Sequence, residues 1–352
     1  MAQDVPTRHA LTVDQFYAGV IARDAAVLPR ALTLIESNNE RHQIEAEKLL
    51  TRLMPHTGQA IRVGVSGPPG VGKSTFIDAL GMHVVGLGKS VAVLAVDPSS
   101  GVTGGSIMGD KTRMARLSAA SQAYIRPSPS AGTLGGVARK TRESMLVCEA
   151  AGFEVILIET VGVGQSETMV ANMTDCFLGL MLPGAGDELQ GIKRGLLELL
   201  DVIAVNKADG ETRHAAEVAA RQLQNALGSL FARAHDVPPV LTCSALHNVG
   251  VADVWEAIAQ RHQRLCESGA LIQRHHQQQA RWLWEIVDDR VKRAIREHPQ
   301  VAAIRGKLQE QVVEGTLAPE AAARQILQAF GMAVNGHANH GTTSIAPAKT
   351  ET

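Results

Sequence analysis

The run Gly67-Pro68-Pro69-Gly70-Val71-Gly72-Lys73-Ser74-Thr75 constrains this 352-residue chain more than any other feature. It satisfies G-x-x-x-x-G-K-[ST] in the required context: an apolar run at 61–65 precedes it and a helical stretch at 75–80 follows. Its glycines let successive backbone N–H groups turn inward around phosphate oxygens. The N-terminus of the following helix adds positive potential. Lys73 brings a charge to the β- and γ-phosphates, and the Ser74 hydroxyl is placed to ligate Mg²⁺. Residues 67–75 are therefore the candidate phosphate cradle.

The rest of the chain supplies the setting such a loop needs. Short apolar runs at 61–65, 91–96, 155–158, 177–182, 202–205 and 240–243 alternate with helix-like stretches. Most are Val/Ile-rich and end in Gly, Pro, Asp or Asn, which predicts βαβ units and a mainly parallel sheet buried on both faces. The fold class is α/β, a P-loop NTPase sheet flanked by helices. Aromatics are only 3% of the chain, so the core must be aliphatic. Both ends read as helical. Thr12 and Gln15 form a capping box ahead of Phe16, Val20 and Ile21. Asp24 can cap a second helix carrying Leu28, Leu32 and Ile35, and 40–54 is a third, stopped by Pro55. Beyond 255 the helical segments are 255–266, 276–297, 300–314 and 319–330, broken at Pro299 and Pro319. The expected organisation is a helical extension at 1–58, a nucleotide domain at 59–265, a helical arm at 266–332 and a disordered tail at 333–352.

Asn206-Lys207-Ala208-Asp209 says which base is bound. Asp209 can accept from the ring N–H and the 2-amino group of guanine, and adenine offers neither donor. A polar pocket deprived of its partner discriminates by roughly 10⁴–10⁵-fold in favourable cases. Ser244-Ala245-Leu246, after the run at 240–243, either gives backbone N–H groups to the guanine 6-oxo group or is an ordinary polar loop. Three acids join Ser74 as candidate Mg²⁺ ligands, some through water: Asp97, Glu159 and Asp110. Asp110 reads equally as a solvated loop acid. Gly67, Asp97, Glu159, Asn206 and Ser244 all fall just past predicted strand ends, the edge where open α/β sheets bind ligands.

In Glu159-Thr160-Val161-Gly162 the Gly162 N–H can sense a γ-phosphate. Val163 stands where small regulatory GTPases carry a water-orienting Gln, which predicts slow intrinsic turnover. Gln165 is a candidate substitute, so the candidate catalytic set is Lys73, Glu159, Gly162 and Gln165. The loop at 183–191, with Asp187, Glu188 and nearby Lys193, is either a further switch or a plain surface loop.

Other classes fit poorly. The formal charge of −1 argues against a basic nucleic-acid or membrane-surface binder. No apolar stretch approaches the ~18–20 residues of a membrane span, and the first residues lack a secretory pattern. Cys148, Cys176, Cys243 and Cys266 form no CxxC pair and read as reduced thiols in a cytoplasmic protein. His275-His276 reads as a solvated helix face in preference to a metal site.

The segments GPPGVGKST (67–75), VAVLAVDPSS (91–100), TGGSIMGDKTRM (103–114), RPSPSAGTLGGVARKTRE (126–143), ETVGVGQSE (159–167), LPGAGDELQGIKRG (182–195) and NKAD (206–209) together resemble the MeaB/ArgK family. The resemblance covers about residues 10–330. It implies a homodimeric P-loop GTPase with a C-terminal dimerisation arm, acting as a chaperone of adenosylcobalamin-dependent acyl-CoA mutases such as methylmalonyl-CoA mutase. It implies GTP and GDP as ligands, Mg²⁺ held by Ser74, Asp97, Asp110 and Glu159, and a third switch at 183–193 that touches the mutase. Adenosylcobalamin enters only through the mutase, and a cobalamin adenosyltransferase is a further candidate partner. The rivals are a P-loop kinase or transport-linked ATPase, which Asp209 argues against, and a nickel- or zinc-insertion GTPase, which lacks a His- or Cys-rich store here.

Overall fold

The computed structural model describes residues 11–96, 114–127, 134–160, 166–183, 194–231 and 237–332. Asp97, Asp110, Gly162, Gln165, the loop from 184 to 193 and the tail from 333 lie outside them.

Seven parallel strands form one sheet: β1 (Ile61–Ser66), β2 (Val91–Val96), β3 (Ala123–Arg126), β4 (Val155–Thr160), β5 (Cys176–Met181), β6 (Val202–Val205) and β7 (Val240–Thr242), in the order β3-β2-β4-β1-β5-β6-β7. The six expected strands are present. The seventh, β3, was not expected: it is four residues long at the sheet edge, too short to show a pattern. In the middle of the sheet the strands are buried along most of their length, as parallel strands covered on both faces must be.

Helices cover both faces. Val63 and Val65 pack with Phe76, Ile77 and Leu80 of α4 (Lys73–Gly86), Leu117 of α5 (Ala115–Ala119) and Trp255 and Ile258 of α10 (Val251–Glu267). Ile156, Ile158 and Phe177 face the other way, toward Met145 of α6 (Leu134–Ala150), Val170 of α7 (Ser166–Ala171) and Leu223 of α9 (Arg213–Leu230). The short α8 (Arg194–Leu197) lies between β5 and β6 in the chain. The connection after β1 therefore leaves on one face and that after neighbouring β4 on the other. That reversal opens a crevice at the carboxyl edge, the position where such sheets bind ligands.

The N-terminal helices α1 (Val13–Ile21), α2 (Leu28–Glu36) and α3 (Glu40–Leu53) share the second core through Val20, Leu32, Leu49 and Leu53, and pack on α6. The capping box is present, with Thr12 and Gln15 each accepting from the other's backbone N–H. Asp24 caps the turn ahead of α2, accepting from Ala26 and Val27 N–H at 2.7 and 3.0 Å. The extension is thus part of the body. One compact unit takes in the described residues up to Ala280 and a second begins at Arg281, within α11 (Ala270–Glu297). The second unit continues through α12 (Pro299–Val313) and α13 (Pro319–Ala329). Pro299 and Pro319 stand in the first turns, where a missing N–H costs nothing.

At the opposite, amino edge of the sheet, His275 corrects the solvated-face reading. Its Nε2 lies 2.7 Å from Oδ1 of fully buried Asp175, whose Oδ2 accepts from Arg62 N–H at 3.0 Å. Only His276 is exposed. Beside them Arg62 and Glu149 form a buried two-point ion pair at 2.9 and 2.7 Å. No described helix is long and apolar enough to cross a membrane, and all four cysteines are free thiols.

Candidate functional site: a phosphate loop braced by the base-recognition loop

The phosphate loop leaves β1 at Gly67 and enters α4 at Lys73. Gly67, Gly70 and Gly72 all have positive φ, and at the first and last a Cβ would also meet a neighbour. Gly67 has φ +155°, and a Cβ there would lie 2.5 Å from the Leu180 carbonyl oxygen. Gly72 caps α4 in the left-handed region at φ +94°, which L side chains rarely adopt, and its space is closed off by Asn206. Val71 is buried, whereas Pro69, Gly70 and Thr75 are exposed at the rim.

Lys73 curls back over the loop. Its Nζ donates to the carbonyls of Gly67 at 2.8 Å and Pro68 at 3.2 Å. Burial lowers the Lys73 ammonium below the ordinary lysine pKa, while the carboxylates of Glu159 and Glu167 pull it back up. Ser74 Oγ donates to Glu159 Oε1 at 2.8 Å. Glu159 does this from within β4, one residue before its end, not from beyond it as expected. In-register pairing with Val65 carries it to the foot of the loop.

Asn206 joins three loops, a role its motif reading did not reveal. Its N–H donates to the Met181 carbonyl at 2.8 Å. Its Nδ2 donates to the Val71 carbonyl at 2.8 Å, and its Oδ1 accepts from Ala245 N–H at 3.1 Å. Lys207 is exposed and held at φ +60°. Asp209 is half-buried and accepts from the Ser244 hydroxyl. That bond orients the carboxylate and leaves its other oxygen for a ligand.

In the 244–246 segment two of the three backbone N–H groups are paired within the protein. Ser244 N–H is spent on the Val249 carbonyl at 2.8 Å, and Ala245 N–H on Asn206. Of the three N–H groups, only that of Leu246 donates to nothing among the described residues. The contribution of Ser244 is its side chain.

Replacing Asn206 by Ala removes both clamps and leaves the buried Val71 carbonyl and Ala245 N–H unpaired. The expected loss is about 2–6 kcal/mol of stability together with weakened GDP binding, at about 1–3 kcal/mol per orphaned buried group. Urea unfolding and GDP titration of the variant check it. A stable variant that binds GDP normally would show that the loops hold themselves.

A family model described as "Methylmalonyl Co-A mutase-associated GTPase MeaB" matches residues 28–300. The chain belongs to the MeaB family of GTPases. It is 53% identical over 324 residues to a "Putative GTPase" of Caulobacter vibrioides, covering 92% of this chain and 99% of that protein. It is 50% identical over 270 residues to "GTPase ArgK" of Escherichia coli, covering 76% and 81% of the two chains. It is 41% identical over 333 residues to "Methylmalonic aciduria type A homolog, mitochondrial" of Mus musculus, covering 90% and 79%. A solved structure titled "Crystal structure of LAO/AO transport system kinase" superposes with a TM-score of 0.73 at 37% identity, covering 91% of this chain and 98% of that one. This MeaB-family protein is a GTP-hydrolysing enzyme, and its relatives named GTPases do not favour the kinase and metal-insertion rivals.

Proposed function

We propose that this GTPase is a Mg²⁺-dependent chaperone of an adenosylcobalamin-dependent acyl-CoA mutase. The family match across 28–300, under a name that ties the GTPase to methylmalonyl-CoA mutase, carries the reading. GTP sits on the loop from Gly67 to Thr75 with Lys73 at its β- and γ-phosphates, and Asp209 reads the guanine. Ser74 Oγ and Glu159 Oε1 are hard oxygen donors facing each other across 2.8 Å, and that donor set suits Mg²⁺, with Asp97 and Asp110 completing it. Bound there, Mg²⁺ supplies charge neutralisation at the phosphates. Val163 orients no water, so unassisted turnover is slow, and Gln165 or the mutase supplies what is missing.

The protein acts as a homodimer in the cytoplasm. In the second unit Leu283, Trp284, Val287 and Val291 leave an exposed apolar stripe on α11, which suits the dimerisation role of the C-terminal arm. The 183–193 loop meets the mutase. GTP- and GDP-bound states differ in affinity for it, so the nucleotide gates adenosylcobalamin loading and the protection or reactivation of the mutase.

Gel filtration of the protein with methylmalonyl-CoA mutase, with and without a non-hydrolysable GTP analogue, tests this. A complex whose stability changes with the nucleotide, and a mutase that raises the GTP turnover rate, are expected. No complex in any nucleotide state and unchanged turnover would remove the chaperone role and leave the GTPase.

A further inference from the structure

The turn from Asn206 to Asp209 has a shape that must be enforced. Lys207 sits in the left-handed region at φ +60°, where residues with a side chain are uncommon, and Gly210 follows at φ +48°. A strained backbone of this kind persists only where its surroundings over-determine it. On the sheet side the turn is fixed at two points. Asn206 N–H donates to the Met181 carbonyl at 2.8 Å, and Ala208 N–H donates to the Cys243 carbonyl at 2.9 Å.

The outer side is fastened by Thr212, which the Asn-Lys-Ala-Asp motif does not contain. Thr212 ends the 3₁₀ turn Gly210–Thr212 and stands at the N-cap of α9. A threonine there ordinarily accepts from the first free N–H groups of its helix. Thr212 makes no such bond. Its hydroxyl is turned backward, 2.5 Å from the Lys207 carbonyl oxygen and 2.7 Å from that of Asp209, and its one proton is shared between them. Its N–H also donates to the Asp209 carbonyl at 3.0 Å. The bond to Asp209, three residues back, is the ordinary local closure of a turn. The bond to Lys207 reaches five residues back, outside that pattern, and ties the strained residue to the start of α9. Thr212 is exposed, so little packing rides on its side chain.

We propose that Thr212 is a positioning residue for base recognition, a strap across the outer side of the turn that holds Asp209 where it meets the base. The inference rests on the reading that Asp209 accepts from guanine. The two carbonyls that Thr212 engages flank Ala208 and Asp209. With both tied to α9, Lys207 is kept from relaxing to negative φ and the turn from swinging outward. Without the hydroxyl the inner bonds remain, but the carboxylate is no longer preorganised for guanine. Preorganisation of a loop sustains affinity, and its loss is read chiefly in the dissociation rate.

The experiment measures GDP release and thermal unfolding of the whole chain with Thr212→Val, Thr212→Ser, Asp209→Asn and the Thr212→Val/Asp209→Asn pair. Val keeps the branched shape and loses the hydroxyl; Ser keeps the hydroxyl. The proposal expects Thr212→Val to speed GDP release at least about fivefold with the melting temperature within about 2 °C, and Thr212→Ser to stay within about twofold of wild type. In the Asp209→Asn background Thr212→Val should add less than about twofold, because the strap acts through Asp209. Release from Thr212→Val within about twofold of wild type overturns the proposal. An equal effect of Thr212→Val in both backgrounds also overturns it, since the hydroxyl would then act elsewhere. Asp209→Asn releasing GDP within about threefold of wild type removes the base reading itself, and the strap with it. Should the Val variant fail to fold, Thr212→Ala takes its place under the same criteria.

Discussion

Lys73→Ala is expected to lower GTP turnover by about 10³-fold while leaving the fold intact. The ammonium does two jobs. It braces the loop through the Gly67 and Pro68 carbonyls, and on the proposed reading it carries the positive charge that meets the β- and γ-phosphates. The carbonyls lie on a part-exposed loop where water replaces the lost donor, so the first job is worth about 1 kcal/mol of stability. The second is larger. Charge-assisted bonds to the transferring phosphoryl group are worth about 1.5–3 kcal/mol each, and losing two removes about 4 kcal/mol, or roughly 10³-fold in rate. Lys73→Arg should recover little, because a planar fork cannot occupy the point position that a compact ammonium fills between two carbonyls. Single-turnover phosphate release, with thermal unfolding as control, measures both. A loss below about tenfold would move the charge role away from Lys73.

Asp209→Asn is expected to change which base is bound. The carboxylate can accept twice from guanine, once at the ring N–H and once at the 2-amino group. An amide keeps one acceptor and turns an NH₂ toward a guanine donor. GDP affinity should fall about 10²–10³-fold, the penalty for leaving donors of a buried base unpaired. Xanthine carries an oxygen where guanine has the amino group, so xanthosine diphosphate should gain and overtake GDP. Ser244 makes the experiment clean, since its hydroxyl donates to Asp209 Oδ2 and can donate equally to the amide oxygen of Asn. The side chain stays oriented while its hydrogen-bonding pattern inverts. Calorimetric titration with both nucleotides checks it. GDP affinity within about threefold of wild type would take Asp209 out of the base pocket.

Much of the site was legible in the chain because its chemistry is local. The phosphate loop is contiguous, its glycines are required by backbone geometry at Gly67 and Gly72, and a buried strand must precede it. Short, unbroken aliphatic runs announced the central strands, since a sheet covered on both faces favours them over alternating patterns. The edge strand β3 was not legible, because four residues half-covered at an edge carry no periodicity. Glu159 was legible as an acid but not as a residue inside β4. Its hydroxyl partner lies 85 positions away in the chain. His275 read as solvated because Asp175, its partner 100 positions away, reveals nothing of the contact in its own neighbourhood.

The sequence alone determined the reaction class. A strand, a glycine loop, a Lys-Ser pair and an Asn-Lys-Ala-Asp motif are short-range statements about which atoms a nucleotide meets, and the backbone can adopt them in few ways. The tertiary structure decided how those pieces are held. It set Asn206 as the clamp between the phosphate loop and the 244–246 loop, spent the Ser244 and Ala245 N–H groups on the protein itself, and merged the N-terminal helices into the core. It also buried Glu167 in the first turn of α7. The reason is physical: burial and hydrogen-bond pairing depend on what the fold brings from elsewhere, and no local pattern encodes an atom that arrives from a hundred residues away.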